Sequence, residues 1–321
     1  MMNSSRSLVD PELLSLLDAW PAMTIDETTL PLMRQPGRLP LPPIAHPERV
    51  EKRTVLAPGR NGAPDVPLVI YQPAHRDERR LACIYHMHGG GFIAGSAAGM
   101  EALHRELVHS LNCVLVTVEY RLAPETPFPG PLEDCYAGLV WTFAQADMLA
   151  VDTQRIGVMG ESAGGNLAAA LCMLARDRGE LPIAFQHLMY PALDDRTCTR
   201  PDRHPHTGEF IWNLLSNAFA WRSYLDAEPG SEGISGYAAP ARAQDLSGLP
   251  PAFIATGALD LFLDENLAYA ARLLRAGVPT ELHVYAGAFH GFDLAPSAQV
   301  SRRARRDSDE ALKTRLAGCR D

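Results

Sequence analysis

A chain of 321 residues, 46% of them hydrophobic and 21% charged, can bury a large core and has the composition of an ordinary soluble globular protein. Its formal net charge of −9 disfavours association with phosphate backbones or anionic membranes, which sets nucleic acid aside as a partner. No stretch approaches the length of a bilayer span, and the opening "MMNSSRSLVDPELLSLLDAWP" lacks the apolar run of an export signal, so a soluble, unexported, cytoplasmic protein without membrane insertion is expected.

Residues 1–47 are punctuated by proline, with a short helical pattern at 11–19. The alternating stretches "RVEKRTVLA" and "VPLVIYQP" predict an antiparallel pair at one edge of a sheet. Strand-like apolar runs then recur at 81–87, 113–120, 155–160, 183–191, 252–257 and 280–285. Helix-compatible segments at 99–111, 132–146, 163–177, 264–276 and 297–317 separate or follow them. Strand and helix alternating this often predict an α/β protein with a mostly parallel central sheet flanked by helices. No period of twenty to fifty residues repeats, which argues against a solenoid or propeller.

One further region, about 195–236, breaks the alternation and carries "EFIWNLLSNAFAWRSYL". Trp20, Trp212 and Trp221 fall in this region and in the N-terminal one. The two segments are expected to meet as a cap over the carboxyl edge of the sheet, where α/β folds place ligands. Aromatic anchoring of a cap to the core explains the tryptophans equally well. Arg302, Arg303, Arg305 and Arg306 are followed by acidic residues at 307, 309 and 310, the pattern of a solvated helix face. The cysteines, Cys83, Cys113, Cys135, Cys172, Cys198 and Cys319, form no CxxC pair, so neither structural zinc nor a disulfide framework is expected.

The sharpest local signal is "GESAGG" at 160–165, with a strand-like run before it and a small-residue helix after it. GxSxG needs that context to carry weight. In it, Ser162 occupies a strained turn with steric room from Gly160 and Gly164, at a helix N-terminus that favours developing negative charge. Service as a plain helix N-cap would not require glycine on both sides.

A serine hydroxyl needs a base to take its proton, and the base needs an acid to hold its tautomer. Asp260 and His290 follow the last two strand-like runs and meet that need. The competitors are His283 inside a strand, His88 at a glycine loop, His204 and His206 in the cap region, and Asp264, whose place at a helix start also suits an N-cap. Three consecutive glycines in "HMHGGGF" open the backbone to close approach, as donors to a tetrahedral oxyanion require, and Ala163 after the serine would add one further N–H.

Through "HGGGF", "EYRLAPETPFPGPLEDCYAGLVW", "GESAGGNLAAAL", "YPALD" and "AFHGF", the chain from about residue 80 to 295 resembles the hormone-sensitive-lipase-like branch of the α/β-hydrolase fold, the bacterial family IV carboxylesterases. The resemblance implies Ser162 as nucleophile, His290 as general base, Asp260 as its partner, and N–H groups of Gly90, Gly91 and Ala163 as the oxyanion hole. It also implies that His88 fixes the loop and that Arg121 and Asp134 are structural. The chain would divide into a core of residues 48–194 and 237–321 and a helical cap of residues 1–47 and 195–236. Two departures stand out: the acid is followed by "LFLDE" without the usual proline, and Glu161 stands where many members carry Asp or Thr.

The expected function is hydrolysis of small to medium acyl or aryl esters, with no metal or organic cofactor. A scaffold-derived binding protein would lack His290, and a lipase would want a larger apolar lid. An amidase is a nearer alternative, since the same machinery cleaves activated amides. Dimers occur among proteins that resemble this one, and a homodimer is expected on that basis alone.

Overall fold

The computed structural model describes residues 4–20, 23–35, 43–44, 47–75 and 79–317. Cys319 and parts of the expected 1–47 cap segment lie outside the described residues.

Among the described residues eight strands form one sheet: β1 (Val50–Ala57), β2 (Val66–Pro73), β3 (Leu81–Met87), β4 (Val114–Val118), β5 (Val151–Glu161), β6 (Gln186–Met189), β7 (Ala252–Gly257) and β8 (Thr280–Tyr285). Their order is β1-β2-β4-β3-β5-β6-β7-β8. β2 runs antiparallel to β1 and β4, and every pairing from β4 through β3 to β8 is parallel. β3, β4 and β7 are buried along their whole length, as strands covered on both faces must be, and they read as continuous apolar runs. β1 is mostly exposed and forms the edge expected from its alternation.

The helices are α1 (Leu14–Ala19), α2 (Leu30–Met33), α3 (Glu101–Leu111), α4 (Gly130–Ala144), α5 (Ala146–Leu149), α6 (Ala163–Arg178), α7 (Leu214–Leu225), α8 (Leu263–Arg275) and α9 (Gln299–Leu316). Residues 163–175 of α6 are all buried. Its alanines and glycines let the helix backbone approach the sheet: a Cβ on Gly164 would overlap the Met87 carbonyl at the end of β3. No helix among the described residues is long and apolar enough to cross a membrane.

Several boundaries differ from those read in the sequence. The run 183–191 keeps only Gln186–Met189 in the sheet, because Tyr190 leaves it with a left-handed φ of 36°. β5 begins earlier, at Val151, which pairs with Leu81 across a register shift in β3. The expected helix 132–146 starts at Gly130 and divides into α4 and α5. Asp264 lies in the first turn of α8 and does not cap it; the Phe262 N–H at that helix start is taken by Asp260 Oδ1 at 2.9 Å.

The N-terminal segments and residues 204–225 touch. Ser4 Oγ and the Ser5 N–H donate to Glu209, and the Ile25 N–H donates to Ser216 Oγ at 2.9 Å. Trp221 of α7 lies 5.3 Å from the Phe92 ring, just beyond the carboxyl end of β3. Trp20 ends α1 and is half-buried.

Candidate active site

β5 ends at Glu161 and α6 starts at Ala163, so Ser162 alone makes the reversal, with φ 55° and ψ −117°. A non-glycine residue in such a region carries strain of about 1–3 kcal/mol and persists only where its surroundings hold it. Here they do: the Ser162 N–H donates to Met189 O at 2.9 Å, and its carbonyl accepts from Ala192 and Asn166, each at 3.1 Å. The turn is therefore clasped by the end of β6, by Ala192 beyond it and by the first turn of α6.

Ser162 Oγ is 3.0 Å from His290 Nε2, and His290 Nδ1 is 2.9 Å from Asp260 Oδ2. Asp260 is fully buried, while Ser162 and His290 are each 7% exposed. Asp260 stands in the loop between β7 and α8, and His290 in the loop after β8. Aromatic rings frame the imidazole: Phe262 edge-on at 5.1 Å, Tyr190 edge-on at 4.9 Å and Trp212 tilted at 6.3 Å. Held this way, the imidazole presents Nε2 to the hydroxyl and Nδ1 to the carboxylate.

The glycine loop adjoins this chain of contacts. A Cβ on Gly89 would lie 3.0 Å from Glu161 O and 3.5 Å from Ser162 Cβ. Gly90 and Gly91 have φ of 124° and 63°, conformations that L side chains rarely adopt, and a Cβ on Gly91 would meet Trp212 Cη2 at 2.5 Å. β3 and β5 are adjacent and parallel, with Met87 opposite Gly160, which brings this loop and the Ser162–Ala163 turn to the same end of the sheet.

The competing residues are engaged elsewhere. His283 is 2.7 Å from Glu281 on β8, and His206 is 3.3 Å from Ser5 Oγ. His204 accepts from the His206 N–H within the same loop. Asp264 points outward as an exposed residue. His88 donates from Nδ1 to Gly89 O at 2.8 Å, stacks on Tyr120 at 4.2 Å, and receives the Tyr120 hydroxyl on its carbonyl. Burial pushes His88 down to about 4, so it serves the loop as a neutral ring. Arg121 and Asp134 form a two-pronged ion pair, with Arg121 Nη2 2.7 Å from Asp134 Oδ1.

Cys83, Cys113, Cys135 and Cys172 are buried free thiols, and Cys198 is a half-buried one. Burial pushes Cys113 up to about 12, which keeps it a protonated packing residue.

Tyr190, Phe262 and the Trp212–Asn217 pair were not singled out from the sequence as neighbours of His290. The only trace of Tyr190 is its place in "YPALD", and Trp212 was visible only as one of several cap aromatics. Asn217 holds the indole, accepting its Nε1–H at 3.0 Å.

Residues 84–294 match the model of a family described as alpha/beta hydrolase fold. The carboxylesterase NlhH of Mycobacterium tuberculosis is 36% identical over 298 residues, covering 90% of each chain. An arylesterase of Saccharolobus solfataricus is 35% identical over 239 residues, 74% of this chain and 76% of its own. Among solved structures, a bacterial heroin esterase superposes with a TM-score of 0.88 at 37% identity, over 98% of this chain and 99% of that one. With the sheet order, the family match and esterases of this likeness along nearly the whole length, the chain belongs to the α/β-hydrolase fold family, in its hormone-sensitive-lipase-like branch, and is a carboxylesterase.

Proposed function

We propose that the protein hydrolyses small to medium acyl or aryl esters through a Ser162–His290–Asp260 triad, an acyl-enzyme intermediate and an oxyanion hole built from the N–H groups of Gly90, Gly91 and Ala163. The observation that carries this reading is the unbroken line of contacts from Ser162 Oγ to His290 Nε2, 3.0 Å, and from His290 Nδ1 to Asp260 Oδ2, 2.9 Å.

Asp260 accepts the Nδ1–H and leaves the Nε2 lone pair facing Ser162. His290 takes the hydroxyl proton as Ser162 Oγ attacks the ester carbonyl. The carbonyl oxygen becomes an oxyanion, and preorganised N–H donors stabilise it; each such donor is worth roughly a hundredfold to a thousandfold in rate. As the tetrahedral intermediate collapses, His290 passes its proton to the departing alcohol oxygen, leaving the acyl group on Ser162. Water, deprotonated by the same imidazole, attacks the acyl carbonyl; the bond to Ser162 Oγ breaks, His290 returns the proton to that oxygen, and the acid is freed.

The cap of residues 1–47 and 195–236 belongs to the same proposal. It is supported by the bonds from Ser4 and Ser5 to Glu209 and from Ile25 to Ser216, and by Trp212 lying against Gly91. The aromatic walls around His290 favour flat or short groups, and two relatives carry the names arylesterase and heroin esterase.

Hydrolysis of nitrophenyl esters from acetate to palmitate, run beside Ser162→Ala, tests the proposal. A serine-dependent rate that peaks at short chains is expected. A peak at long chains would replace the small-ester reading with a lipase, and full activity in Ser162→Ala would remove the triad.

A further inference from the structure

The residue before the nucleophile is an acid that takes no part in the mechanism above. Glu161 is buried at the end of β5, and both of its carboxylate oxygens lie within 3.1 Å of His86 Nε2, on the neighbouring strand β3. His86 is fully buried, and its other ring nitrogen is 3.0 Å from His104 Nε2 of α3 and 3.3 Å from Thr117 Oγ1 of β4. The two imidazoles meet edge to face at 4.5 Å. Burial and the neighbouring His86, His88 and Lys52 hold His104 well below its ordinary value, so it is a neutral ring. A neutral His104 donating from Nε2 to His86 Nδ1, with His86 donating from Nε2 to Glu161, places one proton in each contact.

Four side chains on four elements thus close one buried hydrogen-bonded line. Its placement gives it a use. β3 continues into His88 and the glycine loop, and β5 continues into Ser162 and Ala163. His86 lies opposite Met159, near the carboxyl ends of both strands. The Glu161 carbonyl also lies 3.0 Å from where a Cβ on Gly89 would sit, so its backbone passes close to the start of the glycine loop.

We infer that Glu161 and His86 form a positioning clamp that sets the spacing between the glycine loop and the nucleophile turn, and so governs oxyanion stabilisation more than substrate binding. The inference rests on the proposed roles of Gly90, Gly91 and Ala163. Neither clamp residue touches the reacting atoms. Their leverage is geometric: a misplacement of about 1 Å at a catalytic centre can lower the rate by roughly a hundredfold.

The experiment compares the parent with Glu161→Gln, His86→Gln, the double variant, and Glu161→Asp, which keeps the charge and shortens its reach. Active sites are counted by stoichiometric release of nitrophenol from a nitrophenyl phosphonate, so unfolded protein does not enter the rate. On nitrophenyl butyrate, kcat per active site is expected to fall about tenfold or more, with KM changed by less than about twofold. Affinity for a trifluoromethyl ketone of the same acyl length, which binds as the oxyanion, is expected to fall by the same factor as kcat. Members of one unit are non-additive, so the double variant should be no slower than the slower single one. Parent kcat per active site in either glutamine variant, or a loss of kcat with unchanged ketone affinity, would overturn the clamp. Ser162→Ala separates the two layers: an inactive Ser162→Ala beside a fully active Glu161→Gln removes the clamp alone, whereas an active Ser162→Ala removes the reading beneath it.

Discussion

Asp260 and Asp264 are four positions apart, and their surroundings give them opposite fates. Asp260 is fully buried, with one carboxylate oxygen on His290 Nδ1 and the other on the Phe262 N–H. Asp264 lies in the first turn of α8 and faces solvent. Steady-state hydrolysis should therefore fall steeply in Asp260→Asn, which unsettles the imidazole tautomer, and hold in Asp264→Asn; the reverse pattern would move the acid to Asp264. Ser162→Ala and His290→Ala should each remove nearly all turnover, by up to about a millionfold, and the pair together should lose little more than either alone. The sequence points to Ser162, Asp260 and His290 because each stands just past a strand end, and the fold brings these three side chains together. The choice between Asp260 and Asp264 was open in the sequence, because burial depends on how the loop after β7 turns.

At the scale of elements, the loop from Phe210 to Trp212 packs beside His290 and Gly91. Ile211 adopts φ 61°, a strained value for a β-branched residue, and a Cβ on Gly291, next to His290, would lie 3.9 Å from its Cγ2. Trp212 follows, its indole held by Asn217 and laid against Gly91. In a nitrophenyl ester series, Trp212→Ala should shift the preferred acyl chain towards greater length, because it removes a large ring beside the reacting centre. An unchanged profile would separate Trp212 from acyl selection. Gly91→Val should lose activity for two reasons, its φ of 63° and the collision of its side chain with that indole, which circular dichroism should show as a folded but slow enzyme. The elements themselves were legible where periodicity was strong, as in β3 to β8 and α6. Their ends were not: β6 stops where Tyr190 turns out of the sheet, a step dictated by the backbone clasp on Ser162 and by no local propensity.

For the whole molecule, the buried histidines tie stability to acidity. Burial holds His88 down to about 4, His187 down to about 3 and His104 well below the ordinary value. In the unfolded chain each would titrate near 6.5. Their folded values are depressed, so between these limits the unfolded state binds more protons and stability rises with pH. The stabilising contribution is present above about pH 6.5 and is lost as pH falls from there towards 4, by on the order of 1.4 kcal/mol per group per pH unit once fully engaged. Thermal melts should show Tm dropping between pH 7 and pH 5. His187 stacks on Phe253 at 4.3 Å and bonds Ser308 on α9, with no contact to Ser162, Asp260 or His290, so His187→Gln should flatten that slope while leaving esterase activity in place. A slope identical to the parent's would assign the acid sensitivity to other groups.

The sequence by itself determined the class of the fold, the neighbouring of the glycine loop with the serine turn, and the identity of the chemistry, because these depend on local signals: period, glycine placement and residue types at strand ends. Tertiary structure alone decided which acid is buried, which aromatics frame His290, and that Glu161 reaches across to His86 and on to His104. Those contacts join residues 18 to 100 positions apart. Side chains that distant meet only after the sheet order β4-β3-β5-β6 has been set by the burial of these central strands together.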